Sequence, residues 1–421
     1  MANSELPVPD GLSLRPFHGV RFAVDDISSV TSPPYDLVSD DEARELLDAH
    51  PNNVVRLILP GADHHRYAQA RDTLQTWLAE GVLAPDPEPA VYVYEQSRNG
   101  DVLQRGLIGD VALAAPASRI ILPHEEVYPG PIADRLALMK STQANLEPIF
   151  LLYEGVEGAA TRLTDEVAAT RMPLLDTEIA GVRHRLWAIT DTAEIERIDA
   201  DLRPRRALIA DGHHRYATYR TLQREHHDAG DGPGPWDYGL ALLVDSTAYP
   251  PDLKPIHRVI PRLPLGEAVA RAKGAWQVHE HAEIADGLAA LAEADGPAFL
   301  LAGAGPCHLL TDPDPLQIRH AMPEGRSARW CALNTAILAE FLLPKVWGLR
   351  DDEETVRIVH HDANAAVQLA AHTGGTAVIL NPLTVEEVMA IAAEGERVPR
   401  KSTSFSPKPR TGLILRTFAT D

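Results

Sequence analysis

Five consecutive residues, Asp211-Gly212-His213-His214-Arg215, gather a carboxylate, two imidazoles and a guanidinium around one glycine. The apolar run before them, Ala207-Leu208-Ile209-Ala210, follows the basic pair Arg205-Arg206 and reads as a short buried strand. Asp211-Gly212 is a turn signal. Tyr216, Tyr219 and Leu222 then recur at helical spacing, and neither Gly nor Pro returns before Gly230. The predicted order is strand, tight turn, helix. A helix that opens on a glycine turn presents backbone N–H groups without intrahelical partners, and the positive end of its dipole, to an anion such as phosphate. Two histidines and an arginine in that first turn are unfavourable unless something negative joins them. Asp211 could orient the turn by bonding to its own backbone, or touch a metal ion through water. The plainer alternative for the box is a capped helix with a solvated polar start.

Phosphate chemistry on a hydroxyl needs further groups. A hydroxyl is a poor nucleophile until its proton has an acceptor. The developing negative oxygens need cations or N–H donors, and normally Mg2+ bridging the phosphates. His124-Glu125-Glu126 follows Pro123 at the end of an apolar stretch, where adjacent carboxylates can serve as base or metal ligand; the alternative is a polar loop. Arg135 and Asn145 flank a short predicted helix, and His257-Arg258 follows a proline-rich loop. With His124, these are candidates for binding substrate carboxylate or phosphate, against a structural arginine at 258 paired to an acid. From Arg397 to Arg416 the chain carries Arg397, Arg400, Lys401, Lys408, Arg410 and Arg416 with no acid, interleaved with Ser402, Thr403, Ser404 and Ser406. Lys401, Ser402, Thr403 and Lys408 are the favoured phosphate contacts there, the alternative being a solvated tail or a charge-guarded strand edge. Asp36, after Pro33-Pro34-Tyr35, sits in a fixed-geometry turn that could place a carboxylate or phenol in a cleft or simply shape a loop. The pairs His64-His65, His226-His227 and His360-His361 read as surface residues, because adjacent side chains diverge too far to ligate one ion.

The stretch Ile209 to Arg215 resembles the D-G-H-H-R box of the ParB/sulfiredoxin-like superfamily, in which the free serine kinases place it where nucleotide phosphates bind. Over its length the chain also resembles domain-of-unknown-function family 1015, through Ser32-Pro33-Pro34-Tyr35-Asp36, His124-Glu125, Ala144-Asn145-Leu146-Glu147-Pro148, the Asp211 box, His257-Arg258-Val259, and Lys401-Ser402-Thr403 through Lys408. The resemblance implies a kinase that moves a phosphoryl group from ATP, ADP or another donor to a hydroxyl, free L-serine first among the acceptors, with Mg2+ as cofactor. It implies Glu125 as the proton acceptor, matched by its order and its place after a strand, with Glu126 as the fallback. Asp211 and His214 join Glu125 as catalytic candidates. Gly212, His213, His214 and Arg215 become nucleotide contacts, and Asp211 a tentative magnesium contact. The alternative within the superfamily is a nucleotide-binding regulator or a nucleotide hydrolase; the acidic balance and the lack of a helix-turn-helix argue against a DNA clamp.

These residues must be positioned by an α/β chain. Ser39 or Asp40 caps a helix with acids in its first turn. Val54 to Leu59 reads as a strand, and Arg66 to Glu80 as a helix stopped by Gly81. Ala90 to Gln96 and Leu103 to Ala112 form a hairpin about Asn99-Gly100. Helix Leu136 to Ala144, strands Ile149 to Tyr153 and Leu186 to Ile189, and strand Leu240 to Val244 surround the box. From Leu265 alanine-rich helices begin (267 to 275, 283 to 294), then helix 331 to 343, strand Val356 to His360, helix 363 to 371, strand Thr376 to Leu380 and helix Val385 to Ala393, with Gly412 to Leu415 as a last strand. The expected fold class is mixed α/β (α+β), a ParB/sulfiredoxin-like core with elaborations and a C-terminal α/β domain. The expected regions are 1–118, a core at 119–262 holding the box, and 263–421 ending in the basic segment.

Composition limits what such a chain can do. Its 421 residues suffice for two or three domains. With 39 basic against 60 acidic residues the net charge is −21, which argues against a broad grip on nucleic acid. Only Cys307 and Cys331 occur, so neither a disulfide framework nor a zinc cluster is expected. No apolar run is long enough for a membrane span, and Met1 to Asp10 lacks the apolar core of a signal peptide. A cytoplasmic protein, with a homodimer as an open option, is the expectation.

Overall fold

The computed structural model describes residues 6–352 and 354–420; Met1–Asp10, where no signal peptide is expected, begins outside them. The chain divides into two compact units, and neither is a single run of sequence. The first comprises 1–123, 127–251 and 407–421; the second comprises 124–126 and 252–406. Among the described residues no helix is long and apolar enough to cross a membrane.

The first unit is built on a nine-stranded mixed sheet. Its path runs Ile121–Leu122, Ala207–Asp211, Ile149–Tyr153, Tyr238–Asp245, Asp101–Ala112, Val91–Arg98, Val182–Ile189 and Leu175–Ile179, with Leu14–Arg15 added beside Asp101–Ala112. The Asn99-Gly100 hairpin forms as expected, both residues taking positive φ, as a two-residue turn between twisted strands demands. Ala207–Asp211 and Tyr238–Asp245 each pair with Ile149–Tyr153, the first antiparallel and the second parallel. All five residues of Ile149–Tyr153 are buried, which suits an interior strand covered on both faces. Ile149, Leu151, Ile209, Leu243, Tyr216, Tyr219 and Leu222 join one core, so the helix after the box is packed onto the strand that leads into it.

Two local expectations change here. Val54 to Leu59 is not a strand: Val55–Ile58 is a helical turn. Asn53 sets it, its Oδ1 accepting from Val55 N at 3.0 Å while its Nδ2 donates to the carbonyls of Ser29 and Thr31. A short apolar run has no periodicity to separate the two forms, and the buried asparagine decides. Gly412 to Leu415 does not form the last strand either. The chain makes single bridges, Thr411 with Ser32 and Leu415 with Val20, and the strand is Arg416–Thr417 beside Ala144–Asn145. The helix expected over Leu136 to Ala144 is longer at its start, running Pro129–Thr142.

The second unit holds a six-stranded antiparallel sheet in the order Gln277–His281, Cys307–Thr311, Phe299–Ala302, Thr376–Ile379, Ile256–Ile260, Arg357–His360. Alternation along the strands separates two cores. Phe299, Leu301 and Val378 meet the helix Leu265–Ala272 and the segment Leu338–Trp347; Leu300, Ala302, Ala377 and Ile379 meet the helix Ala363–Thr373. The helix expected at 331 to 343 is broken into Ala328–Ala332 and Asn334–Ile337, and continues as a π-helix, Leu338–Trp347, that contains Pro344.

Candidate functional site

The box lies where a strand is deliberately bent. Ile209 pairs with Leu151, but Asp211 pairs with Phe150, so Ala210 is an extra residue on its strand. Such a bulge bends the strand and re-aims the side chain that follows. Gly212 then takes φ +93°, a conformation that L-residues rarely adopt, and a β-carbon there would come within 3.0 Å of the Ile149 Cγ2 methyl. The helix His213–Ala229 starts at once, Tyr216 N donating to Gly212 O at 2.8 Å, and no side chain from Gly212 caps it. Tyr216 Oη donates to Ala114 O and accepts from Ala114 N, and Tyr219 Oη donates to Glu147 O, which fixes the helix in place. The helix ends as predicted at a left-handed glycine, Gly230.

The five box residues face different surroundings. Arg215 turns inward: its Nη1 donates to Pro148 O at 2.6 Å and its Nη2 to Asp211 Oδ2 at 2.5 Å. Burial works against its charge, but Glu147, Asp211 and Asp36 together hold its pKa above the ordinary value, so it remains a cation. Asp211 keeps its second oxygen, Oδ1, for the Lys408 ammonium at 2.5 Å. Lys408 also reaches Asp36 Oδ2 at 3.2 Å. Burial would lower the lysine pKa, yet Asp211 and Asp36 raise it above 10.5. Burial likewise favours a neutral Asp36, and Lys408 and Arg215 overcome that to hold its carboxyl below the usual range. Two carboxylates therefore share one ammonium beside the opening of a helix. His213 is buried. His214 Nε2 accepts from Tyr128 N at 3.1 Å, which places the proton of the neutral ring on Nδ1, and the ring stacks on Tyr128.

Behind this cluster Glu147 binds the loops together. Its Oε1 accepts from Tyr35 N and from the Thr411 hydroxyl, both at 3.0 Å. Arg135 lies over the Tyr35 ring and donates to Ile58 O at 2.7 Å. Asn145 Oδ1 accepts from Leu240 N at 3.2 Å and Arg416 Nη1 at 3.0 Å. These three, with Arg215 and Tyr219, line a cavity of about 30 Å³, the room of a single water. Arg135 and Asn145 are thus both engaged internally; they do not flank the helix as expected, because Pro129–Thr142 starts earlier and carries Arg135 within it, and only Asn145 lies beyond its end. Glu147 enters the sequence analysis only through the resemblance, and Tyr35 otherwise only as part of the turn before Asp36. Their partners lie 112 and 264 residues away, so no local pattern marks them.

The remaining candidates belong to the second unit. The Thr403 hydroxyl donates to Glu125 Oε1 at 2.9 Å, and so must accept from His124 Nε2 at 2.8 Å. Arg397 donates to Glu125 O at 2.5 Å, and its Nε stands 3.6 Å from Glu126 Oε1. Ser402 donates to Pro399 O, and Lys401 is exposed at φ +51°. Among the described residues Arg258 bonds to carbonyls rather than to an acid, gathering those of Ile256, Arg400 and Lys401 at 2.9 to 3.0 Å. Burial, aided by Arg400, brings its pKa down to about 10. Burial lowers the pKa of His257, whose Nδ1 accepts from Leu380 N at 3.4 Å. Of the histidine pairs expected at the surface, the second is half wrong: His227 is buried, its Nε2 at 2.7 Å from Asp237 Oδ1. Among the described residues no group of three or more His, Cys, Asp or Glu side chains is placed to hold a metal ion.

Fold and site together define a mixed α/β protein in which a glycine-opened helix meets two carboxylates and a shared ammonium. The chain belongs to the family described as protein of unknown function (DUF1015), which matches residues 14–329. No curated protein matches it. Among solved structures it is similar to free serine kinase in complex with AMP, at 15% identity and a TM-score of 0.34, over 71% of this chain and 86% of that one. It is also similar to a C-terminally truncated SbnI from Staphylococcus aureus, at 11% identity and a TM-score of 0.33, over 73% and 81%. A conserved hypothetical protein from Pyrococcus furiosus shows 14% identity and a TM-score of 0.34, over 71% and 90%.

Proposed function

We propose that the first unit binds the phosphates of a nucleotide at the opening of the His213–Ala229 helix and transfers a phosphoryl group to the hydroxyl of a small metabolite, free L-serine first among the candidates. The observation that carries this reading is the Lys408 ammonium bridging Asp211 and Asp36 at the glycine-opened end of that helix. A helix start and a lysine together supply oriented N–H donors and a mobile positive charge for phosphate oxygens. The resemblance of the box to the free serine kinases supports the same assignment, within a ParB/sulfiredoxin-like core.

Each residue then has a distinct part. Gly212 lets the backbone turn close to the phosphates. His213 and His214 supply the first N–H groups of the helix. Arg215, turned inward, positions Asp211 rather than touching the nucleotide. Asp211 and Asp36 already share a cation in the form of Lys408, and their hard oxygen atoms suit Mg2+, which is commonly held by one or two carboxylates with the remaining positions on phosphate and water. Magnesium would neutralise charge on the phosphates being transferred. For the proton acceptor there are two carboxylates to separate by experiment: Glu125, which the resemblance implies, and Asp36, which the first unit itself supplies.

The test is incubation with L-serine and ATP, ADP or pyrophosphate, followed by phosphorus NMR. Phosphoserine formation that falls about 100-fold or more in Lys408→Met supports the reading. Nucleotide turnover with no phosphorylated acceptor assigns a hydrolase instead, and binding without turnover a nucleotide-dependent regulator. Loss of transfer in E125Q but not D36N identifies Glu125 as the acceptor of the proton; the reverse identifies Asp36.

A further inference from the structure

The Lys408 ammonium stands where two carboxylates meet. Asp211 Oδ1 lies 2.5 Å from Nζ, and Asp36 Oδ2 lies 3.2 Å from it. The other Asp211 oxygen, Oδ2, accepts from Arg215 Nη2 at 2.5 Å, and Arg215 is held a second time by Pro148 O. Two carboxylates thus face two cations, and their charges balance with Lys408 in place. A divalent cation added to that arrangement would stand within a few ångströms of a retained ammonium, and like charges so close repel strongly away from bulk water.

The two cations differ in how firmly they are held. Arg215 is buried and bonded through both terminal nitrogens. Lys408 is anchored at its main chain: Gln96 Nε2 donates to Lys408 O at 3.1 Å, and three residues on Thr411 exchanges backbone bonds with Ser32 at 2.9 and 3.1 Å. Beyond that anchor runs a flexible four-carbon stem, whose rotations carry the ammonium without moving the backbone. Asp36 forms the open side of the site, its side chain 41% exposed against 10% for Asp211. That is the side from which a cation in solvent approaches.

We infer that Lys408 is a built-in stand-in for a divalent cation: its ammonium holds the position between Asp36 and Asp211 in the nucleotide-free protein and yields it only to a metal ion that arrives with nucleotide phosphates. The displaced ammonium is then taken up by phosphate oxygens, so charge stays balanced before and after the exchange. One or two carboxylates are the usual protein share of a Mg2+ site, and this pair supplies them. The inference rests on the nucleotide reading of the same site and adds an order to it: metal ion and nucleotide enter as one complex, and the metal ion alone is refused.

Mn2+ alone is the probe, titrated into the full chain without nucleotide and followed by the electron paramagnetic resonance of free Mn2+. Lys408→Met and Lys408→Gln should each gain one Mn2+ site, at least about tenfold tighter than any binding by the unsubstituted chain. Adding Asp36→Asn to either variant should remove that site. Lysine variants of native circular dichroism that gain no site, or a gained site that Asp36→Asn leaves intact, overturn the inference. Saturable binding of one Mn2+ by the unsubstituted chain that Asp36→Asn removes overturns it without recourse to a lysine variant. Neither nucleotide nor acceptor is present, so failure to form phosphoserine has no bearing on this result. Phosphoserine formation by a chain whose lysine variants gain no Mn2+ site strikes the exchange alone and leaves the nucleotide reading standing.

Discussion

Arg215 and Lys408 show how the same charge serves two ends at one site. Arg215 is buried with carboxylate and carbonyl partners and cannot leave them without uncovering Asp211. Removing one member of a buried pair leaves the other uncompensated, so Arg215→Met should cost about 3 kcal/mol of unfolding free energy, read by urea denaturation. Lys408 reaches the cluster from the basic C-terminal segment, and Lys408→Met should abolish transfer with a smaller loss of stability, because Asp211 keeps its bond to Arg215. His184 offers a pH test away from the site. Burial, with Arg410 nearby, pushes its pKa down to about 4 from 6.5, and its Nδ1 lies 2.8 Å from Tyr94 Oη. A depressed value means that the unfolded chain takes up the proton first. The stabilisation by neutral His184 is therefore complete above pH 6.5 and lost as pH falls towards 4, on the order of 3 kcal/mol in all. Urea melts between these limits should show that slope, and His184→Gln should flatten it.

At the scale of elements, the site depends on a bulge, a glycine and a helix start acting in sequence. Gly212→Ala would place a methyl group at φ +93°, 3.0 Å from the Ile149 side chain. The expected loss is about 1–2 kcal/mol in stability. Nucleotide affinity should fall further than that of a control substitution at Gly230, at the far end of the same helix, if the turn presents the phosphate donors; equal affinities in a binding titration would remove the turn from the site. The strand, turn and helix of the box were legible because apolar run, Asp-Gly and helical spacing all agree there. The bulge at Ala210 was not, since it is a matter of register against Phe150 and Leu151. The turn at Val55–Ile58 was misread for a similar reason: a buried asparagine, bonded to carbonyls more than twenty residues earlier, overrides the β-branched composition.

At the scale of the molecule, the two units interleave along the chain. Residues 407–421 return to the first unit and deliver Lys408 to the box, while 124–126 join the second. An acid-free segment in an acidic chain was a visible anomaly, and it drew notice to Lys408. Its partners Asp36 and Asp211 lie far away in sequence, so which carboxylates it meets could not be read from spacing. The same holds for Glu125, whose bond to Thr403 spans 278 residues. By itself the sequence determined the mixed α/β class, the family and the strand–glycine–helix box, because these follow from local periodicity and from residues adjacent in the chain. Only the tertiary structure decided that Arg215 faces inward and that Lys408 is shared by two aspartates. Burial and ion pairing depend on which distant segments are brought within a few ångströms, and no local pattern carries that information.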